Sequence, residues 1–332
     1  MRWSEPATLA LVGILAFAVS AVITAWSRRY AMRRGLLDQP GARRSHVVAT
    51  PRGGGIGIAI VGLALLATLA MGGDSAWWWV AAGLLLVAAA GWWDDHRPTS
   101  PALRLALHAL AGMALALALR ALGASPLAAL GGCVLAMGLV NVWNFMDGID
   151  GLAASQGALC AAALLLASTG PVTPLALGIV AACLGFLPYN LPRARIFLGD
   201  VGSGAIGFLL AALLAFVALD RTPIDVGVLL LALSAFLVDA GLTLGWRVLR
   251  GERWWTPHVE HLYQRASRRF GHGRVTLAYA GWTIAAVGVM LVAIASRSAW
   301  ALAAVAGAWV LALALWLRLH QRWSEAMEGL DR

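Results

Sequence analysis

"SGAIGFLLAALLAFVAL", residues 203–219, contains no charged side chain. Wound as a helix at about 1.5 Å per residue, it covers most of a bilayer core about 30 Å thick. Similar runs recur along all 332 residues, of which 61% are apolar and 12% charged. A soluble domain carries about twice that share of charge. The chain therefore reads as all-α, a polytopic integral membrane protein of about 11 transmembrane helices. The expected spans are 8–26, 55–72, 77–93, 102–121, 127–143, 152–168, 174–190, 203–219, 226–246, 276–296 and 300–318. Gly72-Gly73, Gly170-Pro171 and Thr222-Pro223 mark turns between them. The longest polar stretches, about 27–54 and 248–275, are too short to bury cores of their own, so residues 1–332 read as one transmembrane domain. The first apolar run lacks a small-residue cleavage site, and no cleavable signal peptide is expected. Cys133, Cys160 and Cys183 lie inside apolar runs and read as small buried hydrophobes.

The net charge of +9 comes from arginine alone, since the chain has no lysine. Arginines crowd the loops after the first and ninth spans: Arg28, Arg29, Arg33, Arg34, Arg43, Arg44 and Arg52, then Arg247, Arg250, Arg253, Arg265, Arg268, Arg269 and Arg274. Positive charge beside membrane helices sets orientation and implies no nucleic acid partner. It places these loops in the cytoplasm, the N-terminus in the periplasm and the C-terminus in the cytoplasm. The sixteen tryptophans, many near span ends, read mostly as interfacial anchors.

Five unusual stretches follow spans of one parity, and so fall on one face. They are "DQPGARRSHVVATPRGGGIG" (38–57), "WWDDHRPTS" (92–100), "NVWNFMDGIDG" (141–151), "YNLPRARIFLGDVGSG" (189–204) and "TPHVEHLYQR" (256–265). One shared cytoplasmic site accounts for that parity, with active-site loops at about 27–54, 94–101, 144–151, 190–202 and 247–275. Asp94 and Asp95 are adjacent acids that repel, which suits a general base or a shared cation. Arg97 and Arg104 follow them and fit a phosphate-bearing ligand, although Arg104 also reads as a snorkelling side chain at a helix end. Asn144, Asp147 and Asp150 step by three and would share one face of a helical turn, with Asn141 one turn earlier. Asp150 also reads as an N-cap of the next span. Asp200 opens a span beside glycines, and Phe197 before it offers a ring for a nucleobase. His258 and His261 are three apart, with Arg265 beyond. Two histidines make a poor zinc site, and donation to phosphate oxygens fits better. "PRGGGIG" lacks the ending of a P-loop, and close helix packing explains it equally well. Asp239, inside a span, reads either as functional or as a partner for a neighbouring helix.

Taken together, the stretches resemble the polyprenyl-phosphate N-acetylhexosamine-1-phosphate transferases, glycosyltransferase family 4. That family includes WecA-, TagO- and WbpL-like enzymes and is related to the MraY-type peptidoglycan translocases. The resemblance rests on "DD" at 94–95, "NxxNxxDGxDGLA" at 141–153, "FLGDxGS" at 197–203 and "HxxHLYQR" at 258–265. It implies magnesium, or manganese in its place, held by Asp200 with Asn144 as second ligand. It implies catalytic roles for Asp94, Asp95, Asp147, Asp150, His258 and His261. It implies substrate binding by Phe197, Asn141, Asn190, Arg104 and Arg265, with Phe197 stacking on uracil. The peptidoglycan enzymes carry consecutive histidines in the last loop, whereas the spaced "HVEH" form here points to a simple N-acetylhexosamine.

The implied reaction moves N-acetylhexosamine-1-phosphate from a UDP-sugar (UDP-GlcNAc or a related UDP-FucNAc or UDP-QuiNAc) to undecaprenyl phosphate, with release of UMP. The expected setting is the bacterial inner membrane, at the first lipid-linked step of O-antigen or another surface polysaccharide. Relatives are often dimers, so a homodimer is a further expectation. The alternative is a polytopic transporter using intramembrane acids. Transporters place such acids near mid-bilayer in two matching halves, and here the acids gather at one face without an internal repeat. An intramembrane aspartyl protease, suggested by "LGD" at 198–200, would need two aspartates within the membrane.

Overall fold

The computed structural model describes residues 5–39, 41, 48–168, 170–252 and 259–328. The helices, in order, are α1 (Pro6–Arg34), α2 (Ile56–Met71), α3 (Ala76–His96), α4 (Pro101–Ala121), α5 (Pro126–Met146), α6 (Leu152–Ala167), α7 (Val172–Asn190), α8 (Gly199–Ala218), α9 (Pro223–Leu230), α10 (Ser234–Leu249), α11 (Leu262–Phe270), α12 (His272–Ser296) and α13 (Ala299–Glu328). Two-residue strands β1 (Leu37–Asp38) and β2 (Thr50–Pro51) pair antiparallel in the first loop.

Each of the eleven expected spans is a helix. Among the described residues nine helical segments are long and apolar enough to cross a membrane, α9 and α10 joining through a 3₁₀ turn into one of them, Pro223–Leu249. The other two, α2 and α6, have 16 residues each. They cover about 24 Å, short of a bilayer core of about 30 Å. Three helices begin at a Ser/Thr-Pro pair. Ser100 Oγ accepts from the Leu103 amide, Ser125 Oγ from the Ala128 amide, and Thr222 with Asp225 forms a reciprocal cap. Proline at the first helical position lacks only an N–H that would have no partner there.

Large apolar side chains cover the outside: Leu127 is 78% exposed and Leu277 72%. A water-facing surface would not tolerate that, and lipid does. Inside, small residues let backbones approach. A Cβ on Gly91 of α3 would lie 2.4 Å from the Asp200 carbonyl carbon, so only glycine fits where α3 crosses the start of α8. Gly55 and Gly202 meet in the same way, so close packing accounts for that glycine of "PRGGGIG". α8 is the hub: 89% of its apolar stretch is buried, against 22% in α12 and α13.

The first amides of α8 have no partner within their own helix, and no side chain at its own N-cap serves them. Asp95, 3% exposed at the end of α3, supplies the acceptors. One carboxylate oxygen accepts from the Asp200 amide at 3.1 Å, the other from the Val201 amide at 3.2 Å. Arg52 steadies this join by donating to the Asp95 carbonyl oxygen at 2.5 Å. Asp95→Ala strands two buried N–H groups and should cost about 2–4 kcal/mol. Asp95→Asn, which keeps one acceptor, should cost less. Thermal unfolding of the purified protein in detergent checks both.

Candidate active site

The polar loops meet at one end of the bundle. Asp94, at the end of α3, faces the turn that leads into α4. One of its oxygens accepts from the Thr99 amide at 2.7 Å and from the Thr99 hydroxyl at 2.5 Å. The other lies 3.2 Å from Arg104 Nη1. The same nitrogen lies 3.4 Å from Asp200 Oδ2, so one guanidinium bridges α3 and α8. Asn144 Nδ2 donates to the other Asp200 oxygen at 2.9 Å and reaches Ser203 Oγ at 3.4 Å. A cavity of about 400 Å³ opens beside this cluster, with Ser100, Arg104, Asn141, Asn144 and Asp200 among its lining residues. Its other walls are largely apolar, from Val87, Leu105 and Val140.

The sequence pattern misplaced several groups. Asn144, Asp147 and Asp150 do not share a helical face: α5 stops at Met146, Asp147 is its C-cap, and Gly151 turns the chain at φ 74°. Asp147 thus sits half-buried beside the cluster. Burial, with the charges of Asp200 and Asp95, raises its carboxyl well above the usual carboxylate range. Asp150 does not cap α6. It pairs with His272 Nδ1 at 3.3 Å, and its carbonyl accepts from the Thr276 hydroxyl. Asp95 is spent on the α8 amides and is not open to a ligand. Asn190 is buried, accepts from the Gly151 amide at 2.6 Å and donates to the Ile196 carbonyl at 2.9 Å, so both ends of its amide are engaged in tying two loops. Asn141 lines the cavity while its amide donates to Met137 of its own helix.

Phe197 is half-buried in a segment stitched to the first loop through Pro51 and Gly54. His261 is buried, its ring stacked between Phe145 and Tyr263. Arg265 follows, half-buried on α11. His258 lies outside the described residues. Thr99, Arg52 and His272 were not singled out from sequence. Thr99 lies within the "WWDDHRPTS" stretch, five residues after Asp94. His272 carries no local signal at all.

Among the described residues no three His, Cys, Asp or Glu side chains converge as a ready metal cage. What is present is a carboxylate, Asp200, beside an amide, Asn144, at an open cavity. The Asn144 oxygen and nitrogen exchange places by a simple flip. Few hard oxygen donors, with space left for substrate phosphates, is the set that magnesium takes. The residues therefore fit that ion.

Residues 77–218 match the family described as Glycosyl transferase family 4. The chain is 29% identical over 325 residues to the decaprenyl-phosphate N-acetylglucosaminephosphotransferase of Mycobacterium tuberculosis, covering 82% of this chain and 80% of that one. It is 30% identical over 238 residues to the protein of the same name from Mycolicibacterium smegmatis, covering 61% of this chain and 59% of that one. It is 28% identical over 279 residues to a probable undecaprenyl-phosphate N-acetylglucosaminyl 1-phosphate transferase of Bacillus subtilis, covering 76% of each. With the motif residues gathered at one end of a helical membrane bundle, the chain belongs to the polyprenyl-phosphate N-acetylhexosamine-1-phosphate transferase family.

Proposed function

We propose that the protein transfers N-acetylhexosamine-1-phosphate from a UDP-N-acetylhexosamine to undecaprenyl phosphate at the cytoplasmic face of a bacterial inner membrane. The observation that carries this reading is Arg104, held between Asp94 and Asp200 with Asn144 alongside, at the mouth of a cavity. A cation among acids at a lipid boundary suits two phosphorylated substrates that must be brought together. An oxygen of the lipid phosphate attacks the sugar-linked phosphorus. The bond from that phosphorus to the pyrophosphate bridging oxygen breaks, and UMP leaves with that oxygen. The product is a polyprenyl-pyrophosphoryl sugar.

Asp200 and Asn144 would hold magnesium, which supplies charge neutralisation for the phosphates. Arg104 orients phosphate oxygens and offsets their repulsion. Asp94, fixed by Thr99, keeps Arg104 in place. A phosphate second pKa is about 6, so the acceptor is largely ionised at neutral pH and an obligatory base is unnecessary. Asp95, closed off by the α8 amides, acts through the position of Asp200. The spaced "HVEH" form supports a simple N-acetylhexosamine. The arginine-only, alanine-rich composition fits a GC-rich bacterial genome and an O-antigen role.

Purified protein should release UMP from a UDP-N-acetylhexosamine only when both undecaprenyl phosphate and magnesium are present. Asp200→Asn should lower that rate by about 10²-fold or more, the scale of losing a group that stabilises developing charge. Retention of most of the rate by this variant would overturn the metal assignment.

The raised Asp147 titration predicts a pH dependence of stability. Its carboxyl holds a proton more tightly in the folded chain than in the unfolded one. The resulting stability is fully present below the unfolded value of about 4 and is lost as pH rises through the folded value. Without divalent cations the melting temperature should therefore fall as pH rises above the ordinary carboxylate range and through the folded value. Magnesium should offset that fall, by more at higher pH, and Asp147→Asn should make it shallower. Scanning calorimetry in detergent checks the three curves.

A further inference from the structure

Asp239 lies inside the membrane bundle on α10, 2% exposed. The site described above does not use it. Its surroundings are specific. Oδ1 accepts from the Leu262 amide at 2.8 Å and Oδ2 from the Tyr263 amide at 3.0 Å. These are the first two amides of α11, whose own N-cap, His261, makes no side-chain cap. The carboxyl group also accepts from Tyr279 Oη at 2.7 Å, Thr243 Oγ1 at 3.3 Å and Trp316 Nε1 at 3.4 Å. His261 Nδ1 is 4.0 Å away. Donors from α10, α11, α12 and α13 thus converge on one side chain.

The other side of α11 rests on the segment that carries the site. Tyr263, buried, donates from Oη to the Phe145 carbonyl at 2.9 Å. A Cβ on Gly148 would come within 2.2 Å of the same oxygen, so the turn after α5 closes directly on Tyr263. The Phe145 and His261 rings stack at 6.0 Å between centroids. A continuous path of contacts runs from Asp239 through the first turn of α11 to the segment bearing Asn144 and Asp147.

We propose that Asp239 is a positioning residue for the nucleotide-sugar site: it seats α11, and with it His261 and Arg265, against Phe145 and Gly148. It touches neither substrate nor reacting atoms. An irregular stretch of polar chain at a lipid boundary needs internal partners for its amides, and Asp239 provides them from within the bundle. The inference rests on the transferase reading, in which His261 and Arg265 meet the donor.

The test compares wild type with Asp239→Ala, Asp239→Asn and Tyr279→Phe, each purified whole in detergent. Steady-state rates with UDP-GlcNAc and undecaprenyl phosphate are read beside hydrogen exchange at the Leu262 and Tyr263 amides. Loss of a cap to buried amides corresponds to about a tenfold effect or more. Asp239→Ala should raise the donor KM at least that much and leave the acceptor KM within about twofold. Asp239→Asn should recover part of the loss, and Tyr279→Phe should show the same split on a smaller scale. Both amides should lose protection in Asp239→Ala. Unchanged protection with an unchanged donor KM would overturn the proposal. So would equal loss of both KM values and kcat in Asp239→Ala and in the milder Tyr279→Phe, which marks general destabilisation. If wild type released no UMP from this donor or from the other UDP-N-acetylhexosamines, the transferase reading would fall instead, and the exchange data alone would decide whether Asp239 seats α11.

Discussion

A carboxylate that closes a helix end inside a membrane is the constraint on which this structure turns. Hydrocarbon offers no partner to a backbone amide, so each helix that starts near it must find acceptors within the protein. α8 begins against the end of α3, and Asp95 accepts from its Asp200 and Val201 amides. Gly91 allows the backbones to meet there. Once α3 and α8 are locked in this way, Asp94 and Asp200 stand side by side and Arg104 can span them. The same solution recurs at α11, where Asp239 accepts from the first two amides. Acids that look alike in the sequence thus divide into those that hold helices and those left for ligands.

That division sets the chemistry. Asp200 lines the cavity and Asp94 holds the Arg104 that lines it too, while Asp95 and Asp239 hold helix ends. Two anionic substrates meeting at a lipid boundary need cations to approach and fixed donors to orient them. A guanidinium held by two aspartates is already charged, already placed and costs little reorganisation when phosphate arrives. The apolar walls of the adjoining cavity suit a lipid-borne acceptor more than a soluble one.

Much of this was legible in the sequence. The helices followed from uncharged runs, although α2 and α6 are shorter than a full span, and the parity of the polar stretches anticipated that polar loops meet at one end of the bundle. The motifs marked Asp94, Asn144 and Asp200 as neighbours. Sequence could not separate Asp95 from Asp94, because burial depends on a helix 105 residues away. It put Asn144, Asp147 and Asp150 on one face because a three-residue step looks helical, and the glycine turn at 151 removed that geometry. It offered Asn190 to a substrate because nothing local shows that both ends of its amide already serve Gly151 and Ile196. The two sides of Asp239 were left open for the same reason: its partners lie on three other helices.

The account's central claim is that the phosphorus next to the sugar changes hands. A UDP-N-acetylhexosamine labelled at that phosphorus, incubated with the protein, undecaprenyl phosphate and magnesium, tests it directly. The label should move into the lipid fraction while unlabelled UMP appears in the aqueous phase. Label remaining in aqueous UDP while the sugar enters the lipid would mean that the sugar–oxygen bond breaks instead, and would contradict the assignment of this site.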